Sequence, residues 1–382
     1  MSKYRIALAH EFLNFFGGAD QILFKNHEIF PDAPIYCLLA DENFTDQYLP
    51  KAQIIPSYLN KWPRFITKKH QLFAFEFPVA AEQFDFTDFD IVLSDSHSFI
   101  KGIITKPSTV HVSYIHSPTR YLWDQNATWI SQKKLNLLSW FINYRFNQIR
   151  LWDYLAADRV DLFLANSHHV AKRIKKYYRR DSIVVYPWVE TRDFLPSTPV
   201  KKEDYYIILS RLVSFKNIDL AVQAFNISGK KLVVVGTGDE EKYLKSIAKP
   251  NIEFTGFVSP SEKVSLLQKA KAFVWTCEED FGIVPVEAMA AGTPVIAYGV
   301  GGLTESVVSG QTGLFFHQLT PESVNETITN FEKNYQQFSP ENCIRQAYKF
   351  DASVYCSNII DIINRVQSDP QKISDRVITK FQ

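Results

Sequence analysis

The chain has 382 residues, 46% of them hydrophobic, and a formal net charge of +1. That length accommodates two domains of ordinary size, each with its own core. The near-neutral balance excludes a globally basic nucleic-acid binder, so any membrane contact must rest on local charge. The N-terminal apolar run is too short for a signal peptide and reads as a first strand, and no stretch approaches a membrane span. The expectation is a cytoplasmic protein, soluble or peripherally attached to the inner face of the membrane. Cys37, Cys277, Cys343 and Cys356 lie far apart without metal-ligand spacing, which predicts reduced thiols.

Taken in chain order, apolar runs of strand length at 5–9, 35–39, 91–94, 110–115, 162–165 and 183–186 alternate with helix-length segments. A Pro-containing stretch at 187–204 reads as a linker. Further runs follow at 206–209, 232–235, 252–254, 273–276, 295–297 and 314–316. Such alternation predicts parallel sheets covered on both faces, an α/β fold of two Rossmann-like domains facing each other across a cleft. Residues 1–190 form the first domain and 200–350 the second. Apolar residues at helical spacing make 353–367 a helix. In sheets of this kind ligands bind beyond the carboxyl ends of the strands.

The richest segment is 278–316, EEDFGIVPVEAMAAGTPVIAYGVGGLTESVVSGQTGLFF. Glu279 falls in the loop after an apolar run, and Glu287 is expected in the first turn of a helix announced by Pro285. Between them the N–H groups of Gly282, Ile283 and Val284 lack intrahelical partners, and a helix's positive end favours an anion there. A diphosphate suits that position. In SRLVSFKN, after the strand at 206–209, Arg211 and Lys216 share one loop and can clamp a diphosphate, Arg as a fork and Lys as a mobile charge. Gly236 and Gly238 directly follow a strand and permit close backbone approach, to a ligand or within a plain turn. Gly17 and Gly18 do the same between the first strand and its helix. His116 ends an apolar strand at the expected cleft edge, where a neutral imidazole can hydrogen-bond a ligand. Asp88 and Asp90 form a D-x-D, but at a strand's amino end, away from the expected cleft, so no metal is expected.

The segment E-D-F-G-I-V-P-V-E-A-M-A-A-G-T-P-V-I, followed by G-G-L-T-E and S-G-Q-T-G, resembles the signature of family 4 glycosyltransferases, with Asp280 where that family has a small residue. SRLVSFKN is similar to its G-R-L-x-x-x-K pattern, and GGAD at 17–20 to its G-G-A-E loop. The resemblance implies a GT-B fold, a C-terminal segment (about 351–382) crossing back to pack on the first domain, and retaining, metal-independent hexosyl transfer without a cofactor. It implies a nucleotide-sugar donor whose diphosphate meets Arg211 and Lys216. Glu287 would bind the ribose, Glu279 and His116 would meet the hexose, Phe281 would belong to the donor site, and Phe257, Val258 and Lys263 would lie at the base. HSPTRYLWD at 116–124 looks like bacterial O-antigen and capsule mannosyltransferases, which favours GDP-mannose and puts Arg120, Tyr121, Trp123 and Asp124 on the acceptor side.

The acceptor would be a glycan or lipid-linked oligosaccharide. Two basic stretches with interleaved aromatics, Lys61 to Lys69 and Lys172 to Arg180, can hold such an enzyme on an anionic leaflet. The competing readings are a sugar-nucleotide epimerase of the same architecture and a non-catalytic nucleotide-binding partner of another transferase.

Overall fold

The computed structural model describes residues 4–14, 16–63, 73–124, 137–198 and 200–368, with side chains in the helix Leu137–Ala157 described from residue 143. Arg64, Phe65, Lys68 and Lys69 of the first basic stretch, and the tail from 369, lie outside these residues. The chain divides into two compact units, Met1–Tyr186 with Cys356–Gln382, and Pro187–Tyr355.

The first unit is built on seven parallel strands: β1 (Ile6–Leu13), β2 (Ile35–Ala40), β3 (Ile54–Pro56), β4 (Ile91–Ser96), β5 (Val110–Ile115), β6 (Leu162–Ala165) and β7 (Ile183–Val184). Their order is β3-β2-β1-β4-β5-β6-β7, so the winding direction reverses between β1 and β4. That reversal leaves a crevice at the carboxyl ends of the two strands. The central strands are buried throughout because helices cover both faces of a parallel sheet, which explains their near-continuous apolar runs.

β1 and β4 overrun their sequence-predicted ends into polar residues. β1 continues through His10 and Glu11 to Leu13, and β4 through Asp95 to Ser96, all buried apart from the half-buried Phe12. Polar residues read as strand ends, but here tertiary partners satisfy them inside the sheet. β3 was not anticipated; it is short, partly exposed and closed by Pro56, as edge strands often are.

The second unit has six parallel strands, β8 (Tyr206–Leu209), β9 (Leu232–Val235), β10 (Ile252–Gly256), β11 (Ala272–Trp275), β12 (Val295–Tyr298) and β13 (Gly313–Phe316), ordered β10-β9-β8-β11-β12-β13. The reversal falls between β8 and β11. Helices Ile218–Ser228 and Pro321–Lys333 close one face, packing Leu220, Val222, Phe225, Val324, Ile328 and Phe331 against Ile208, Val234 and Val274.

Most of the predicted linker is ordered within this unit. It contains a short helix, Thr191–Phe194, and is tied down by Val189 N–H donating to Phe350 O (2.9 Å) and Ala352 N–H donating to Val189 O (3.1 Å). The helix Ala352–Ser368 starts in the second unit and, from Cys356, belongs to the first. Its buried face is Ile359, Ile362, Ile363 and Val366, and Tyr4 Oη donates to Gln367 O (3.3 Å).

Candidate functional site

The carboxyl ends of β8 and β11 flank the reversal point of the second sheet, and the loops leaving them carry the residues singled out by sequence. The β8 loop holds Arg211 and Lys216; the β11 loop holds Glu279 and runs into the helix Ile283–Ala290. The two loops are stitched together. Lys216 Nζ forms an ion pair with Glu279 Oε1, Thr276 Oγ1 donates to Lys216 O (3.1 Å), and Cys277 Sγ lies 3.5 Å from Glu279 Oε1. The Lys216 ammonium also sits 4.9 Å from the centre of the Trp275 ring, a cation–π contact that holds it at the strand ends. Arg211 is exposed, and its guanidinium enters no ion pair among the described residues.

Glycines set the geometry of this floor. Gly301, in the left-handed region at φ 82°, and Gly302 lie so close to the β11 loop that an added Cβ would fall 2.3 Å from Glu279 O and 2.1 Å from Asp280 O. Gly302 N–H donates to Glu279 O at 2.8 Å, fixing the backbone that carries the carboxylate. Gly236 and Gly238 also provide close approach, and the chain they meet is Ser210–Leu212: their added Cβ atoms would lie 1.9 Å from Ser210 O and 2.3 Å from Leu212 O.

Gly282 caps the helix Ile283–Ala290 with φ 90°, and the N–H groups of Gly282, Ile283 and Val284 donate to no group among the described residues. Phe281 is buried against Phe350, so its ring is a packing element under the turn. Glu287 is the fifth helical residue, one turn further along than predicted, because the helix begins at Ile283 and Pro285 occupies its third position. It is 7% exposed and pairs with Lys263 Nζ at 2.6 Å. Lys263 belongs to the helix Pro260–Lys269, capped by Ser259 and Glu262, so the base-side and ribose-side candidates meet directly. Between β10 and that helix Phe257 is 87% exposed and Val258 half-buried.

In the first unit, the ends of β1 and β4 carry a buried charged line. His116, just past β5, bonds through Nε2 to Asp95 Oδ1; Asp95 Oδ2 is 3.1 Å from His10 Nδ1; His10 Nε2 is 3.4 Å from Asp20 Oδ1. Asp20 Oδ2 accepts the Gly17 N–H at 2.8 Å, so the predicted glycine turn at the start of helix Gly18–Ile29 is held by this same carboxylate. Burial opposes charge on His10, but Asp20 and Asp95 outweigh it and raise its pKa to about 10. For Asp95 burial likewise opposes charge, and its contacts with His116 and His10 outweigh it, holding the carboxyl at about 2.

Beside this line Glu11, fully buried, accepts from Ser96 Oγ (3.0 Å) and the N–H groups of His97 (3.1 Å) and Phe99 (2.8 Å). His10, Glu11 and Asp95 were not singled out from the sequence. The available signal was polar residues directly continuing the apolar runs of the two strands that flank the reversal.

The residues expected on the acceptor side are partly tied into the first unit's own framework. Trp123 Nε1 donates to Asp153 Oδ2 (2.8 Å) and its ring stacks on Tyr177; Asp124 pairs with Arg173; Tyr121 packs on Phe146. Asp153 also takes Lys101 Nζ (2.5 Å), Thr119 Oγ1 and Tyr178 Oη, all buried. Arg120 is half-buried. Asp88 and Asp90 serve β1: Asp88 pairs with Arg5 at 3.5 Å and Asp90 Oδ2 accepts the Arg5 N–H at 2.9 Å. Among the described residues no group of three or more His, Cys, Asp or Glu side chains could hold a metal.

Residues 190–350 match the family of glycosyl transferases group 1. An uncharacterized glycosyltransferase of Methanocaldococcus jannaschii is 32% identical over 148 residues, 36% of this chain and 38% of that one. The α-1,3/1,6-mannosyltransferase ALG2 of Kluyveromyces lactis is 27% identical over 270 residues, 54% of each chain. The matches thus span about half or less of these relatives' length. Among solved structures, HepE of Anabaena in complex with UDP is 17% identical with a TM-score of 0.67, covering 94% of this chain and 100% of that one. Sucrose-phosphate synthase of Thermosynechococcus elongatus is 16% identical with a TM-score of 0.72, covering 96% and 100%. The likeness shows a shared fold, the GT-B pair of Rossmann-like domains that the sequence predicted. Among the described residues no helix is long and apolar enough to cross a membrane.

Proposed function

We propose that the chain is a retaining hexosyltransferase that moves mannose from GDP-mannose to a glycan or lipid-linked acceptor of a surface polysaccharide, without a metal. The observation that carries this reading is the Lys216–Glu279 pair at the reversal point of a group 1 domain, next to three undonated N–H groups of a helix start. An ammonium, the exposed Arg211 and those N–H groups are suited to a diphosphate, whose departure as an anion is the charge that must be stabilised when a sugar leaves as an oxocarbenium-like cation. Glu279 is assigned to the hexose, Glu287 to the ribose and Phe257 to the base. In the first unit, His116 is assigned to a hydroxyl of the transferred sugar and the Gly17–Gly18 turn to the donor.

Mannose is supported by likeness to ALG2 mannosyltransferases, at 27% and 29% identity in two organisms. The exposed Lys172, Lys175, Lys176 and Arg179 of the helix His168–Tyr178 and its cap are available to anionic headgroups.

The deciding measurement is a thermal-shift screen with GDP, UDP and ADP sugars, since a ligand bound to the folded state alone raises the melting temperature in proportion to its binding free energy. GDP-mannose is expected to give the largest shift and to be turned over with acceptor in EDTA. Stabilisation by a UDP sugar alone removes the GDP-mannose assignment. Isomerised donor formed without acceptor replaces transfer with epimerisation, and tight binding without turnover replaces it with a binding role.

A further inference from the structure

Asp95 is 1% exposed, and its two oxygens face two different imidazoles, His116 Nε2 on one side and His10 Nδ1 on the other. An ionised carboxylate only accepts, so each imidazole nitrogen that faces it must carry a proton. His10 presents its second nitrogen to Asp20 at 3.4 Å, so both its nitrogens face carboxylates and the ring is an imidazolium. The His10 contacts are ion-pair contacts rather than well-aligned hydrogen bonds, whereas the two ends of the line, Asp95 to His116 and Asp20 to Gly17, are hydrogen-bonded. Group type alternates along the line, carboxylate, imidazolium, carboxylate, neutral imidazole, so the charges alternate over the first three.

We infer that Asp95 is the positioning residue of His116: it fixes the proton on Nε2 and leaves Nδ1 as the acceptor, while the His10–Asp20 pair holds Asp95 in place from behind. The His116 Nδ1 atom has no partner among the described residues, and the side chain is 17% exposed. A neutral ring locked in that tautomer accepts a hydroxyl proton at Nδ1 and cannot donate there, which selects the hydroxyl's orientation. That last step rests on the assignment of His116 to the sugar; the tautomer itself does not. The line also joins His116 to the Gly17 N–H, so two candidate donor contacts share one rigid connection.

The other titratable groups packed here include Glu11 and His97, paired at 3.2 Å, and Tyr114, whose ring lies 5.3 Å from that of His116. Burial chiefly depresses the basicity of His97, so it offers Asp95 no competing cation near neutral pH.

The test is long-range proton–nitrogen correlation NMR on the full chain with nitrogen-15 histidine, the rings assigned with His10→Gln and His116→Asn. His116 is expected as a single tautomer protonated on Nε2, and His10 as doubly protonated from pH 5 to 9. Mixed tautomers at His116, a proton on Nδ1, or a His10 ring that loses its proton between pH 6 and 7 overturns the inference. Asp95→Asn is expected to mix the His116 tautomers, lower kcat at least tenfold and move the pH profile, with donor KM within twofold. A retained single tautomer in that variant overturns the inference; should the variant fail to fold, the wild-type spectra decide. Full transfer by His116→Asn removes the sugar assignment while leaving the tautomer result standing.

Discussion

The two sheets reverse direction at the same place in their strand order, yet their chemistry there is opposite. In the first unit the reversal is lined by charges that satisfy one another inside the protein: His10, Asp20 and Asp95 are each under 5% exposed. In the second Lys216 and Glu279 are half-buried and Arg211 is exposed, and among the described residues Arg211 enters no ion pair and the N–H groups at the helix start from Gly282 have no acceptor. A buried alternating line has no spare valence for a dianion, and it serves to orient. A partly exposed set of cations can exchange its partners for phosphate oxygens, which suits the binding role proposed for it.

If the first unit's charges are structural, removing one should cost most. Lys101→Met leaves Asp153 buried without its ammonium and should destabilise by roughly 3–5 kcal/mol, measured by denaturant unfolding; a loss under about 1 kcal/mol would place that pair among surface interactions. In the second unit, Arg211→Ala or Lys216→Ala should lower transfer at least roughly a hundredfold, the scale of one strong charge-stabilising donor, with little change in stability. Near-normal turnover would take them out of diphosphate stabilisation and erase the contrast.

Glu287→Ala should weaken nucleotide affinity about tenfold, the scale of one hydrogen bond to a charged acceptor, and unchanged calorimetric binding would contradict the ribose contact.

The most gradual effect expected is a pH slope. A histidine whose folded pKa of about 10 exceeds its ordinary 6.5 adds stability that is complete below 6.5 and is lost as pH rises towards 10. The first unit should therefore melt at progressively lower temperature across that window, and His10→Gln should flatten the slope; an unchanged slope would assign it to other groups.

How far the sequence foretold this differs between the two units for a physical reason. Twelve apolar runs located strands because parallel, doubly covered strands must be apolar. Arg211, Lys216 and Glu279 stood out because they sit in loops, where polarity is not needed for the core, and Glu287 stood out because it follows them on the helix that the last of these loops opens. His10 and Asp95 sit within strands, where polarity looks like a strand's end; only the reversal of β1 against β4, a long-range pairing, turns them into partners. The displaced Glu287 has a local cause: Pro tolerates any of the first helical positions, and here it took the third.

The pairing of Lys216 with Glu279 and Lys263 with Glu287 has a kinetic consequence. Each pair is electrically neutral as a whole, so if the site takes a sugar nucleotide as proposed, neither pair adds long-range attraction for it. Capture should then be slow by the standards of steered encounters and only weakly slowed by added salt, with most of the attraction switching on at contact, when phosphate oxygens replace the carboxylate on Lys216.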